Sequence, residues 1–233
     1  MATTAMHQNR STVSAPTLRW EQRAWRSGKS IVAGVDEVGR GAWAGPLVAA
    51  AVVLPSDSRQ RARITRALNR VGAQVRDSKM LSASQRRTIA DAIADLDIPS
   101  SIVEVSAGEI DAIGLAGANQ HALRRAVHEL PPIPDHALVD CFQVPDLNCT
   151  HDAIVRGDSA SVSIALASII AKLHRDEVMT RIGDEYPDWA FSAHKGYGTA
   201  LHHERLIRHG LTAYHRRSFA PIARLAEHEP PAS

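Results

Sequence analysis

Two apolar runs, Ile31 to Val35 and Leu47 to Leu54, flank a glycine-rich stretch, Gly39-Arg40-Gly41 followed by Gly45-Pro46. Short runs of this kind, bounded by turn residues, read as strands, and the brief connection predicts antiparallel neighbours. Ser101 to Val105 and Ala137 to Cys141 read as further strands. Gly117 to Leu130 reads as a helix stopped by Pro131-Pro132. Ser82-Ala83-Ser84-Gln85 has the form of a capping box, after which Ile89, Ile93 and Leu96 recur on one helical face. Ser161 to about Ile182 reads as a long helix whose Ala165, Ala167, Ser168 and Ala171 permit close packing on a sheet. Paired strands followed by strand–helix alternation predict an α/β fold of the α+β kind, a mixed sheet flanked by helices.

Four acids stand out against this frame. Asp36 and Glu37 close the first strand, and Asp140 closes a later one. Asp176 follows Ile169 and Leu173 at helical spacing, on the buried line of the long helix. Any one of them alone reads as a surface acid or a cap. Burying several together is unfavourable without a counter-charge. A hard divalent cation prefers oxygen ligands and supplies that charge. Two such ions about 3.5–4 Å apart suit a displacement at phosphorus, one activating water and the other stabilising the leaving oxygen. Successive strand side chains point to opposite faces, so Asp36 and Glu37 share a site only if the strand ends or bulges there. The adjoining glycines let backbone approach a polyanion, and Arg40 offers a fork for phosphate.

Composition sets outer bounds. A chain of 233 residues fits one domain with small appendages, and a formal net charge of +2 does not by itself imply nucleic acid. Distribution is more telling. Arg59 to Arg76 holds six arginines and no acid, which reads equally as a solvated helix face. Trp189 to Phe219 interleaves five Lys/Arg and five His with five aromatics and one acid, a better match to backbone and base contact. The spacing of His194, His202 and His203 fits no zinc template, so these read as structural or phosphate-side residues. Cys141 and Cys149 form neither a disulfide framework nor a zinc pair, which points to a reduced, cytoplasmic setting. No apolar run is long enough for a membrane span, and Met1 to Ser14 lacks a secretory core.

The motifs, in order, resemble type 2 ribonuclease H (ribonuclease HII). Asp36-Glu37-Val38-Gly39-Arg40-Gly41 with Gly45-Pro46 resembles the family's first block. Asp77-Ser78-Lys79 with Leu81, and then Val139-Asp140, look like the second and third. Gly157-Asp158, Ser163-Ile164-Ala165, Ala167 to Lys172 and Arg175-Asp176 look like the fourth. His194 to Thr199 with His202, then His215 to Phe219, look like the last. The resemblance implies a ribonuclease-H-like fold with a C-terminal helical extension. Its parts would be a flexible tail at 1–28, a catalytic domain at 29–185, a substrate-binding extension at 186–223 and a flexible tail at 224–233. Trp20 and Trp25 are the first tail's candidate anchors.

It also implies endonucleolytic cleavage of RNA in RNA–DNA hybrids and 5′ to single ribonucleotides in duplex DNA, leaving 3′-hydroxyl and 5′-phosphate. Mn2+ or Mg2+ would be the cofactor, held by Asp36, Glu37, Asp140 and Asp176. Asp158 competes with Asp176 for the fourth place and is otherwise a cap of the long helix. Gly39, Arg40 and Gly41 would read the 2′-hydroxyl, which distinguishes RNA from DNA. Lys79 and Asn119 would contact phosphate, and Tyr197 would stack at the RNA–DNA junction. Arg216 and Arg217 either bind flanking backbone or close the fold. Departures from the family pattern are Trp43, Gly114-Leu115, Asn119 and Cys141. The expected setting is a cytoplasmic monomer, without membrane or obligate protein partner, in DNA repair or replication. Two other readings compete. A dinucleotide-binding enzyme fails on glycine spacing, and Asp36-Glu37 would repel a pyrophosphate. A non-catalytic nucleic-acid-binding module has no need of converging acids.

Overall fold

The computed structural model describes residues 15–70, 75, 78 and 81–226. Lys79 and Asp77 lie outside the described residues. The chain opens with α1 (Arg19–Arg26), then β1 (Ile31–Val38), β2 (Leu47–Pro55), α2 (Ser58–Arg70), α3 (Ala83–Asp95) and β3 (Ser100–Val105). It continues through α4 (Ala107–His128), β4 (His136–Asp140), β5 (Thr150–Ile154), α5 (Gly157–Ala160) and α6 (Val162–Glu185). A 3-10 turn at Pro187–Trp189 leads to α7 (Phe191–His194), α8 (Ala200–His209) and α9 (Ala220–Ala226).

The five strands form one sheet in the order β3-β2-β1-β4-β5. β1 and β2 are antiparallel, as the glycine-rich connection requires, while β1–β4 and β4–β5 are parallel. Alternation along the strands sorts the core into two layers. Ala33, Val35, Leu47, Ala49 and Ala51 face α4, through Ile110, Ala118, Ala122, Leu123 and Ala126. Val48, Ala50 and Val52 face the opposite way, onto α3 and the Leu166–Ala171 stretch of α6. Ala49 and Ala51 on one face of β2 and Ala50 on the other let the helices approach closely.

The closest approach is at Gly34. A Cβ there would lie 2.1 Å from the carbonyl carbon of Ser163 and 2.2 Å from Ile164 N. The backbone of β1 thus meets the backbone of the first turn of α6, with only the small Ser163 hydroxyl beside the contact.

Three elements differ from the sequence reading. The stretch taken as an N-terminal tail contains α1, whose Ala24, Trp20 and Trp25 pack against Val32, Leu138 and Ile164. Its Glu21 is fully buried, and Oε1 accepts hydrogen bonds from Ser161 Oγ, Ser163 N and Ser163 Oγ. It thereby caps the start of α6, where backbone N–H groups lack helical partners. α4 begins ten residues earlier than the helix expected from Gly117, on a capping box of Ser106 and Glu109. It is interrupted at Gly114, whose φ of 74° and ψ of 158° are non-helical. β5 was not foreseen, because Thr150-His151-Asp152-Ala153-Ile154 is a mostly polar edge strand.

Among the described residues no helix is long and apolar enough to cross a membrane. Cys141 and Cys149 are free thiols.

Candidate active site

The carboxylates gather where β4 ends. β1 pairs with β2 along its whole length, but with β4 only from Val32↔His136 to Val35↔Val139. Asp36 and Asp140 each follow the last pair of that parallel register, so they share one face at the open end of the seam. β1 neither stops nor bulges at Asp36-Glu37: the strand runs on to Val38, paired to β2 alone, so the two side chains leave opposite faces, and it is through its charge that Glu37 still acts on Asp36 beyond the end of the β4 pairing. Asp36 faces α6, like Gly34, and is 5% exposed. Burial, then the charges of Glu37 and Asp140, push its carboxyl well above the usual range. The Ser168 hydroxyl and the Glu37 backbone N–H, 2.7 Å from Oδ1, oppose that shift by stabilising the charged form.

Asp140 is held from below. Gly157 N donates to its Oδ1 at 2.6 Å, which places the buried Asp158 next along the chain. Asp158 also accepts from Ser159 Oγ at 3.4 Å.

Asp176 is in different company. Lys172 Nζ reaches its Oδ1 at 2.5 Å, and Arg86 Nη2 its Oδ2 at 3.4 Å. It lies eight residues past Ser168 on α6, about 12 Å further along the helix axis. The charges that act on Asp36 are those of Glu37 and Asp140. A chain of contacts does connect the two regions. Ser168 Oγ meets Ser78 Oγ at 2.9 Å, and Ser78 O accepts from Arg86 Nη1 at 2.9 Å.

The donor set is all oxygen and suits a hard divalent cation, and the raised Asp36 carboxyl is the strain such a charge would relieve. Among the described residues no three His, Cys, Asp or Glu side chains already form a coordination cage.

The glycine-rich loop beside these acids is fixed by two buried arginines: Arg216, for which closing the fold was one of two expected roles, and Arg175, which the sequence did not single out as a loop organiser. Arg175 donates to Pro46 O (2.9 Å), Ala44 O (3.2 Å) and Lys195 O (2.9 Å). Arg216 donates to Gly45 O and Arg40 O. This places Arg216 in the fold's closure, while Arg217 is exposed. Burial and the neighbouring Arg175 charge bring Arg216 down to about 9. Gly39, at φ +92°, passes so close to Arg175 that a Cβ would lie 2.2 Å from Nε. Gly41 has open space around it. The Arg40 guanidinium lies 4.4 Å from the Phe142 ring centre and 3.9 Å from Glu37 Oε1.

Tyr197 is half-buried, and Ala42 bridges to it antiparallel. Its ring has the Arg175 guanidinium at 5.2 Å and Lys172 Nζ at 6.0 Å. Trp43, one of the departures, lies against Gly198 and 5.6 Å from the His202 ring. Asn119 is 2% exposed in α4, with Oδ1 unpartnered among the described residues.

The family model for ribonuclease HII matches residues 33–222. Ribonuclease HII of Herpetosiphon aurantiacus is 45% identical over 205 residues, covering 87% of this chain and 95% of that protein. Ribonuclease HII of Corynebacterium jeikeium is 40% identical over 210 residues, covering 90% and 95%. In three dimensions the chain resembles ribonuclease H2 of Pyrococcus horikoshii, with a TM-score of 0.66 and 24% identity over 84% of this chain and 97% of that one. It also resembles Bst-RNase HIII solved with Mn2+, with a TM-score of 0.64 and 21% identity over 97% and 76%. The chain belongs to the ribonuclease HII family and is a metal-dependent nuclease.

Proposed function

We propose that the chain cuts the RNA strand of RNA–DNA hybrids and cuts 5′ to single ribonucleotides embedded in duplex DNA, leaving 3′-hydroxyl and 5′-phosphate. Its place would be ribonucleotide removal during DNA repair and replication, as a cytoplasmic monomer. One observation carries the reading. Asp36 and Asp140 meet at the open end of the β1–β4 seam, where Glu37 and Asp140 raise the buried Asp36 carboxyl, beside a glycine loop whose backbone is fixed by buried arginines.

Asp36, Glu37 and Asp140 would hold the Mn2+ or Mg2+ ions. Bound there, the ions would supply water activation and charge neutralisation at the leaving oxygen. Asp158 suits the fourth place better than Asp176, because the Gly157–Asp140 hydrogen bond sets it beside Asp140. Asp176 instead balances Lys172 and Arg86, and so orients Lys172 under Tyr197. The backbone of Gly39, Arg40 and Gly41 would read the 2′-hydroxyl, with Tyr197 stacking on the adjoining sugar. Lys79 and one amide edge of Asn119 would contact phosphate. Residues 29–185 would form the catalytic unit and 186–223 the substrate-binding extension.

The test is cleavage of a DNA duplex carrying one ribonucleotide, with Mn2+, Mg2+ or EDTA, alongside Asp36→Asn. A metal-dependent cut 5′ to the ribonucleotide, lost in the variant, supports the reading. Binding without any cut in either metal would favour a non-catalytic module.

A further inference from the structure

We propose that His202 and His215 form a hydrogen-bond relay of fixed proton direction that positions Tyr197 for junction recognition. The proposal rests on the reading of Tyr197 as the residue that senses the RNA–DNA junction.

The direction follows from donors and acceptors alone. The Thr212 backbone N–H can only donate, and it meets His215 Nδ1 at 2.8 Å, so that nitrogen carries no proton. The His215 proton therefore sits on Nε2. It points at His202 Nε2, 3.1 Å away, which must accept. His202 then keeps its proton on Nδ1, aimed at the carbonyl oxygen of Tyr197 at 3.0 Å. Every proton in the chain points toward one peptide group. Reversing it would set the Thr212 N–H against an N–H of His215.

The surroundings hold both rings fixed. His202 is fully buried and His215 nearly so. His194 stacks on His202, with centroids 4.1 Å apart and planes 13° apart. His194 is directed in the same manner: Gly196 N donates to its Nδ1 at 3.1 Å, leaving Nε2 to donate to Trp189 O at 2.8 Å. Phe191 and Trp43 close the sides, at 5.8 and 5.6 Å.

Apolar residues would fill this volume without the cost of burying polar rings. The polar chain yields something packing does not, a directed contact at Tyr197. Because Tyr197 bridges to Ala42, the same contact sets the register between the tyrosine and the loop carrying Gly39 to Gly41. His202 and His215 are thus positioning residues, acting through Tyr197 without touching substrate.

The experiment compares kcat/KM on a duplex with one embedded ribonucleotide to kcat/KM on a continuous RNA–DNA hybrid. The variants are His202→Leu, His215→Leu, His215→Gln and Tyr197→Ala. A glutamine amide reaches the place of His Nε2 and can still donate to His202. The relay predicts that His215→Leu and His202→Leu lower the embedded-to-hybrid ratio about tenfold, and that His215→Gln restores it to within about threefold of the parent. Equal ratios for His215→Leu and His215→Gln would overturn the relay, even if both lose thermal stability. If Tyr197→Ala leaves the ratio unchanged, the reading of Tyr197 itself fails. If Tyr197→Ala lowers it while no histidine variant does, only the relay fails.

Discussion

The guanidinium of Arg216 donates to the carbonyl oxygen of Gly45 twice, from Nε at 3.1 Å and from Nη2 at 2.9 Å. Its remaining arm reaches Arg40 O at 3.0 Å. A cation of the C-terminal segment is thus clamped onto backbone carbonyls of the loop proposed to read the sugar, with no carboxylate in the clamp. Lysine offers a point charge on a flexible stem and cannot span both carbonyls. Arg216→Lys should therefore cost about 2–4 kcal/mol of unfolding free energy, since buried carbonyls lose their donors. Denaturant unfolding of the variant beside the parent measures it.

Gly39 and Gly41 should separate cleanly. Alanine at Gly39 meets both a positive φ and the Arg175 side chain. Gly39→Ala should displace Arg175 and lower both stability and activity. Gly41 has neither obstacle, so Gly41→Ala should unfold within about 1 kcal/mol of the parent. Any large fall in cleavage of an embedded ribonucleotide by Gly41→Ala then reports substrate contact alone. A Gly41→Ala enzyme with parental kinetics would remove Gly41 from the substrate site.

Asp158→Asn and Asp176→Asn should differ in kind. If Asp158 completes the site, its amide variant should lose at least about a hundredfold in kcat and need more metal for half-maximal rate. Asp176→Asn should retain more activity, because its loss frees Lys172 and Arg86 without emptying the seam between β1 and β4. Metal titrations of the two rates decide between them, and the opposite ranking would return the fourth place to Asp176.

His202 gives a pH signature. Burial, then His194, bring it down from 6.5 to about 3. Between those values the unfolded chain binds a proton that the folded chain refuses, so this group makes stability rise with pH across that window. The contribution is complete above about pH 6.5 and is lost as pH falls toward 3. His202→Asn, which cannot titrate, should show a shallower acid loss than the parent. Chemical unfolding at several pH values between 3 and 7 supplies the comparison, and parallel curves would contradict it.

Glu21 predicts that the first helix matters to the site. Glu21→Ala leaves three donors at the start of α6 without their acceptor and should cost about 2–3 kcal/mol. Removing residues 1–26 should cost more, because Trp20 and Trp25 leave the core as well. Thermal unfolding of both forms tests this.

What the sequence exposed depended on the range of the interaction. The β1–β2 pair, the Ser82 capping box and α6 are local patterns, and they stand where periodicity and cap chemistry placed them. α1 was legible only as Trp20 and Trp25, because the partners of its buried Glu21 lie about 140 residues away. β5 escaped because an edge strand does not need an apolar face. The carboxylates of β1 and β4 were legible because each follows a short apolar run, although β1 continues past its pair to Val38. The Arg86 partner of Asp176 was not, because it approaches from another helix. The two histidines of the relay are 13 residues apart, and only the turn between α8 and α9 brings their rings together. Arginines that serve carbonyls leave no acidic partner in the sequence to suggest them.

The contact at Gly34 has a consequence for how this enzyme tolerates change. Where backbone meets backbone, there is no side chain whose volume can drift, so the gap between β1 and α6 behaves as a fixed gauge. Asp36 stands two residues beyond that contact on one element, and Ser168 one turn beyond it on the other. Repacking of the alanine-rich layers would be felt as lost stability long before it changed the reach from Ser168 to Asp36. The chemistry is in this sense insulated from the core, and a single methyl group at position 34 would end the insulation.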